Sequence, residues 1–400
     1  MSGGADDTAR APRVLALTHS LSDVDGVGRY AVGTLQELAP RCGGIEVDIG
    51  RRHRGLSPDL PTAGVTVHET LAADAFPFLS LPKLAWLLLT GLPTLVRAAG
   101  RADVVHSLSD YPLGFVAVLV ARMARRPVVV SGHGTYAVTP TTMPGHRGLI
   151  GWMFRRTDRF LAGSRYALAR VREVAEPTGA EVVPYGVTPD DYSEAAVRGV
   201  DPGVPGPYVL TVGEVKQRKG HTTSLPAFLE AWKRRPDLHY AIVGRHVADD
   251  PYFEALRALV AEAGAEQHVH FLGNVDEPRK VALMRGCLLF LLTPMVSDEG
   301  GFEAFGLVYL EAGAAGRPVI GTDGSGAEDA ITDGENGRLC RHGDVHGLAD
   351  AIVALAEDRG RADALGRAGR ARAEARTWRG AAQRVLEIYG ELLAPGGRAA

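Results

Sequence analysis

Glu303 and Glu311 stand eight positions apart and enclose the run Ala304-Phe305-Gly306-Leu307-Val308-Tyr309-Leu310. A helix opening near Gly306 leaves its first N–H groups unpaired at the positive end of the dipole, a setting that suits a phosphate or diphosphate. Glu303 then falls in the loop ahead of that helix and Glu311 inside it. If the whole span were helical, eight residues would rise roughly 12 Å. That matches the reach from a ribose across its diphosphate to an attached sugar, so one carboxylate can hold ribose hydroxyls while the other meets the sugar. Upstream, Lys216, Arg218 and Lys219 form a basic cluster, which reads either as charge for an anion or as a solvated loop. His133 closes the apolar run Val128-Val129-Val130-Ser131-Gly132. At the C-terminal end of a predicted parallel strand it faces the region where ligands gather, and its ring can donate a hydrogen bond to a hydroxyl.

The elements that must position these groups alternate in type. Strand-like runs and helix-length stretches succeed one another from Arg13 to about Val187, the signature of βαβ units on a parallel sheet. Val14–Thr18 is expected as the first strand, Tyr30–Leu38 as the helix after it, and Val104-Val105 and Pro127–Ser131 as further strands. Asp201-Pro202-Gly203 and Pro205-Gly206-Pro207 mark a linker over 193–207. The alternation restarts at Tyr208–Val212, followed by a helix over Thr223–Arg234, a strand over Tyr240–Val243, a helix over Tyr252–Glu262, and strands over Val269–Leu272 and Leu288–Leu292. Helical spacing returns between Thr377 and Leu393.

A chain of 400 residues exceeds one ordinary core and fits two domains of about 150 to 200 residues each. With 46% hydrophobic and 23% charged residues it reads as globular, and a net charge of −3 gives no reason to expect a nucleic-acid partner. Cys42, Cys287 and Cys340 lack metal-ligand spacing and are expected to be reduced thiols in a cytoplasmic protein. Residues 1–12 are polar, without the apolar segment of a secretory signal, and are expected to be a frayed tail. Phe76–Ala99 is the one stretch apolar enough for membrane contact. Pro82, Gly91 and Pro93 interrupt it below the ~20 residues of a spanning helix, so a buried or lid-like helix is expected, with an interfacial helix as the alternative.

The Glu303–Glu311 pattern resembles the E-x7-E signature of retaining glycosyltransferases of the GT-B fold, specifically the family 4 type. Further resemblance lies in Gly26-Val27-Gly28-Arg29-Tyr30, Asp103-Val104-Val105-His106, His133-Gly134-Thr135, Val183-Pro184-Tyr185-Gly186-Val187, Arg218-Lys219-Gly220, Phe271-Leu272-Gly273 and Asp333-Gly334-Glu335-Asn336-Gly337. It implies two Rossmann-like parallel-sheet domains facing across a cleft. The acceptor-binding domain would span 13–192 and the nucleotide-sugar domain 208–376, with a helix over 377–394 returning to the first.

The resemblance also implies roles. Glu311 binds the ribose hydroxyls and Glu303 the transferred sugar. Lys219 and Arg218 neutralise the departing diphosphate without a metal, and the Phe305-Gly306-Leu307 backbone meets the phosphates. Gly26 and Gly28 approach the donor or acceptor, Val275 lies near the base, and His133 contacts a sugar hydroxyl. His106 is expected near the cleft and no more. The family commonly has arginine where this chain has Glu214, and a carboxylate there would repel a diphosphate. The function implied is hexosyl transfer from a nucleotide diphosphate sugar to a hydroxyl on a lipid-linked glycan, a polysaccharide or a small metabolite, in the cytoplasm, with peripheral contact at the membrane's inner face as the variant. Two alternatives remain, a catalytically idle glycosyltransferase-like subunit, prompted by Glu214, and a sugar-nucleotide epimerase, which the E-x7-E pattern disfavours.

Overall fold

A computed structural model describes residues 10–51, 55–71 and 79–397. Residues 1–9 of the expected tail, and Phe76 with its neighbours Pro77 and Phe78, lie outside the described residues. The chain divides into two compact units. The first comprises residues up to Gly163, Leu168–Val183 and the chain from Trp378 on, and the second Ser164–Ala167 and Pro184–Thr377. Residues 184–192, grouped by sequence with the first domain, thus fall in the second unit.

In the first unit seven strands form one parallel sheet: β1 (Val14–Leu17), β2 (Ile45–Gly50), β3 (Val65–Leu71), β4 (Val104–Ser107), β5 (Val128–Gly132), β6 (Arg159–Ala162) and β7 (Ala180–Val182). Their spatial order is β3-β2-β1-β4-β5-β6-β7. β1, β4 and β5 are buried along their whole length, which is why they read as continuous apolar runs rather than alternating ones. The sheet order reverses between β1 and β4, the kind of switch point at which α/β sheets bind ligands.

The helix after β1 runs Gly26–Leu38, starting four residues earlier than the sequence suggests. Gly26 and Gly28 are therefore its first turn and not a free loop. Asp25 caps it by accepting the Gly28 N–H at 2.8 Å, which offsets the poor helix propensity of the two glycines. A Cβ on Gly28 would lie 2.0 Å from the Ser22 carbonyl oxygen, so packing within the chain already requires glycine there.

The Trp378–Leu393 helix belongs to this first unit. Its Tyr389 hydroxyl meets His106 Nδ1 at 2.6 Å, Arg384 pairs with Glu181, and the Trp378 ring lies over Gly33, where a Cβ would come within 2.6 Å of it. His106 is fully buried and bonds Ser131 Oγ at 2.8 Å through Nε2, so it joins the core rather than lining a ligand surface.

The second unit has six parallel strands: β8 (Tyr208–Val212), β9 (His239–Val243), β10 (Val269–Gly273), β11 (Leu289–Leu291), β12 (Val319–Thr322) and β13 (Gly337–Cys340). Their order is β10-β9-β8-β11-β12-β13, with the switch point between β8 and β11. Helices start where aspartates cap them: Asp250 ahead of Pro251–Glu262 and Asp276 ahead of Glu277–Gly286, each with proline in the first turn.

Candidate functional site

The crevice of the second unit is built by the loops that follow β8 and β11. After β8 the chain makes a short 3-10 turn, Gln217–Lys219, closed by Gly220 at φ 72°. A side chain at Gly220 would collide with the Thr293 carbonyl, its Cβ 1.6 Å from the oxygen. Glycine at that point lets the basic loop lie directly against the β11 loop. The two loops are stitched together. Gln217 Nε2 donates to Asp298 at 2.8 Å and Gln217 Oε1 accepts the Asp298 N–H at 3.0 Å. The Met295 N–H donates to the Arg218 carbonyl at 3.1 Å.

At the centre, Glu303 Oε2 accepts from Lys219 Nζ at 2.6 Å and from Arg218 Nη1 at 2.8 Å. Burial alone would push the Glu303 carboxyl up, but Lys219 and Arg218 outweigh it and hold the group below the usual carboxylate range. Lys219 is 8% exposed; an ammonium that deep is tolerated because of its carboxylate partner.

Beyond Glu303, Gly306 takes φ 79° and caps the Leu307–Ala314 helix. A Cβ on Gly306 would be 2.7 Å from the Tyr309 ring, and the Tyr309 hydroxyl anchors that helix by donating to the Leu292 carbonyl at 2.7 Å. The Phe305 ring is buried against Tyr185, so only the backbone of Phe305 is available to a ligand. Glu311, 5% exposed, sits in the second turn. Lys280 Nζ lies 3.4 Å from Glu311 and 2.6 Å from Glu277. Lys280 escapes sequence reasoning, although a lysine among Val281, Leu283 and Met284 in a helix three residues after Glu277 is the signal that would find it. Val275 lies in the turn between Gly273, at φ 64°, and the Asp276 cap.

Glu214 is bracketed by cations. Arg245 Nη2 approaches its Oε1 at 2.5 Å and Lys216 Nζ its Oε2 at 2.9 Å. Burial raises the Glu214 carboxyl, and the two cations more than reverse that. The group beside the basic loop is thus a neutralised carboxylate, not a bare one.

In the first unit, the residues after β1, β4 and β5 form a second polar cluster. Both Asp110 oxygens accept the His133 N–H, at 2.8 and 2.9 Å. Burial pushes the Asp110 carboxyl up to about 8, against the pull of that N–H. His133 Nε2 lies 2.9 Å from the Leu108 carbonyl, and burial lowers the ring to about 4. A carbonyl only accepts, so a neutral His133 carries its one proton on Nε2. Among the described residues no group of His, Cys, Asp and Glu is arranged to hold a metal ion.

Solved structures with this fold include the Anabaena Alr3699/HepE protein in complex with UDP and glucose, with a TM-score of 0.75 at 20% identity over 95% of this chain and all of that one. The sucrose-phosphate synthase of Thermosynechococcus elongatus gives 0.73 at 20% identity over 96% and 99%. The class is therefore the GT-B fold. Family models sharpen this: Glycosyltransferase Family 4 matches residues 24–191, and Glycosyl transferases group 1 matches residues 201–372. A D-inositol 3-phosphate glycosyltransferase of Nocardia farcinica is 30% identical over 93% of this chain and 86% of its own. A GDP-mannose-dependent alpha-(1-6)-phosphatidylinositol monomannoside mannosyltransferase of Mycolicibacterium smegmatis is 30% identical over 65% and 68%. The chain belongs to glycosyltransferase family 4, and is a glycosyltransferase that draws on a nucleotide sugar.

Proposed function

We propose that the protein is a retaining hexosyltransferase that moves a sugar from a nucleotide diphosphate donor to a hydroxyl acceptor without a metal ion. The observation that carries this reading is the Glu303–Lys219–Arg218 cluster over the switch point, next to the opening of the Leu307–Ala314 helix. Lys219, Arg218 and the backbone of Gly306 and Leu307 take the diphosphate, supplying the charge stabilisation that a departing nucleotide needs. Glu311 takes the ribose hydroxyls, held in place by Lys280, and the backbone at Val275 borders the base. Glu303 meets the hydroxyls of the transferred sugar. With one of its oxygens bonded to two cations, Glu303 is a poor nucleophile, which favours a front-face transfer over a covalent sugar intermediate. His133 contacts a sugar hydroxyl, and Gly26 and Gly28 open the helix beside the acceptor.

The Leu81–Arg101 helix supports a lipid-bearing acceptor. Leu84, Leu87, Leu95, Ala98 and Ala99 are buried, while Trp86 and Leu89 are 58% and 76% exposed alongside Lys83 and Arg97; Arg101, at the helix end, pairs with Glu46. The helix carries no acidic residue. That face suits shallow contact with an anionic bilayer, and no described helix is long and apolar enough to cross one. The names of similar proteins, among them the phosphatidyl-myo-inositol mannosyltransferase of Mycobacterium leprae, 29% identical over 85% of this chain, point the same way and put GDP-mannose first in any donor panel. Calorimetric titration with GDP-, UDP- and ADP-sugars, with and without EDTA, tests the reading. Binding of one nucleotide class that survives EDTA, and a product of unchanged anomeric configuration, are expected. Binding to none, or inversion, overturns it.

A further inference from the structure

The loop after β9 approaches the loop after β8 as closely as two backbones can. A Cβ on Gly244 would lie 2.0 Å from the Gly213 carbonyl oxygen and 2.9 Å from the Glu214 nitrogen, and the Val215 N–H donates to the Arg245 carbonyl at 2.9 Å. On the other side of the same glycine, a Cβ on Gly213 would meet Lys219 Cε at 3.1 Å and Nζ at 3.4 Å. Glu214 and Arg245 are thereby fixed beside the ammonium that the proposed function assigns to the diphosphate.

Within this junction the carboxylate is the less exposed partner, at 28%, against 56% for Arg245 and 52% for Lys216. The Glu214 carboxylate lies below and the two cations stand toward solvent. Arg245 bonds Glu214 Oε1 through Nε and Nη2. A guanidinium has five donors in a rigid fork, so its remaining N–H groups stay available to an anion. An ion pair this exposed contributes only about 0–1 kcal/mol to folding, too little for stability to explain it. The charge balance also has a direction. Glu214 with Arg245 and Lys216 leaves one positive charge over, as Glu303 does with Arg218 and Lys219.

We propose that Arg245 is a donor-phosphate ligand and that Glu214 is its positioning residue. The cation expected at position 214 is supplied instead from the neighbouring strand's loop. Because β9 lies between β10, whose turn borders the base, and β8, whose following loop carries Lys219, Arg245 meets the phosphate nearer the nucleoside. Glu214 is then the anchor of a relocated arginine rather than a sign of a damaged site. This rests on the donor reading above.

The test titrates guanosine, GMP and GDP, or the corresponding uridine or adenosine series if that base binds, into the wild type and its variants. Arg245→Gln is expected to weaken the mono- and diphosphate roughly tenfold while leaving the nucleoside within about twofold, the scale of one partly exposed charged hydrogen bond. Glu214→Gln should weaken both phosphates in the same sense. The exchange Glu214→Arg with Arg245→Glu should restore diphosphate binding to within about threefold of wild type, because an arginine again spans the same junction. If Lys219→Gln weakens the diphosphate but Arg245→Gln does not, or if the exchanged variant is no better than Arg245→Gln, the relocated-arginine assignment falls while the donor site stands. If no nucleoside diphosphate binds the wild type, the donor reading fails and this assignment with it. Glu214 and Arg245 are partly exposed, so circular dichroism melts of their variants are expected to match wild type, whereas Lys219→Gln takes a cation from buried Glu303 and is expected to melt lower.

Discussion

Replacing Glu303 with glutamine removes the charge that holds two cations, and the size of the effect follows from the geometry. At 2.6 and 2.8 Å from Lys219 and Arg218, each attraction amounts to about 6 kcal/mol before desolvation, at an effective dielectric constant of ~20. Desolvation offsets much of that, and removing one partner of a buried pair typically costs about 3–5 kcal/mol. The Arg218 side chain is 28% exposed and retains water, so the lower part of that range applies, about 3 kcal/mol, confined to the second unit. The same change frees both cations for a ligand. Glu303→Gln is therefore expected to bind nucleoside diphosphate more tightly than wild type, by roughly tenfold, while sugar transfer falls by two orders of magnitude or more. Native-state hydrogen exchange in urea, read at the β8 peptide 208–212, reports the stability; calorimetry with the free diphosphate reports the binding. A variant as stable as wild type, with unchanged diphosphate affinity, would show that Glu303 does not hold these cations in solution.

Two further outcomes are expected. Lys280→Met takes the ammonium away from the buried Glu311 carboxylate, so the donor KM should rise about tenfold with kcat within about twofold; an unchanged KM removes Lys280 from the ribose subsite. Asp110→Asn should flatten part of the stability profile. The folded Asp110 keeps its proton up to about 8, whereas the unfolded group loses it near ~4, so wild type loses stability as pH rises through that window. The asparagine variant should match wild type only below pH ~4 and gain on it steadily up to ~8, and parallel profiles would refute the assignment. His106 and His133, lowered by burial to about 3 and about 4, act in the opposite sense, destabilising the fold as pH falls below about 6.5.

Much of the architecture is legible because fully buried parallel strands have no choice but to be apolar on both faces. β1, β4, β5 and β8 announce themselves this way, and the Gly306 helix opening follows from a glycine between two carboxylates. What escapes falls into two kinds. The start of the Gly26–Leu38 helix is hidden because two glycines argue against helix locally, and the reasons for them, the Asp25 cap and the Ser22 carbonyl, are visible only in three dimensions. The partners of Glu214, Glu303 and Glu311 are hidden because charge is settled between loops that are distant in sequence. Arg245 follows Glu214 by 31 residues and Glu303 follows Lys219 by 84. A substitution that looks damaging in one loop can therefore be answered in another strand's loop.

The route of the chain also sets an order of synthesis. The first unit's sheet is complete by Val182, yet that unit still requires the Trp378–Leu393 helix, whose Tyr389 hydroxyl closes the bond to His106 deep in the core. Every residue of the second unit leaves the ribosome before that helix does. The half made first must wait, with His106 and the surface around Gly33 uncovered, while the half made second is free to fold at once. A fragment ending at Val183 would carry the same exposed seam permanently, so the first unit is one that only the full-length chain can finish.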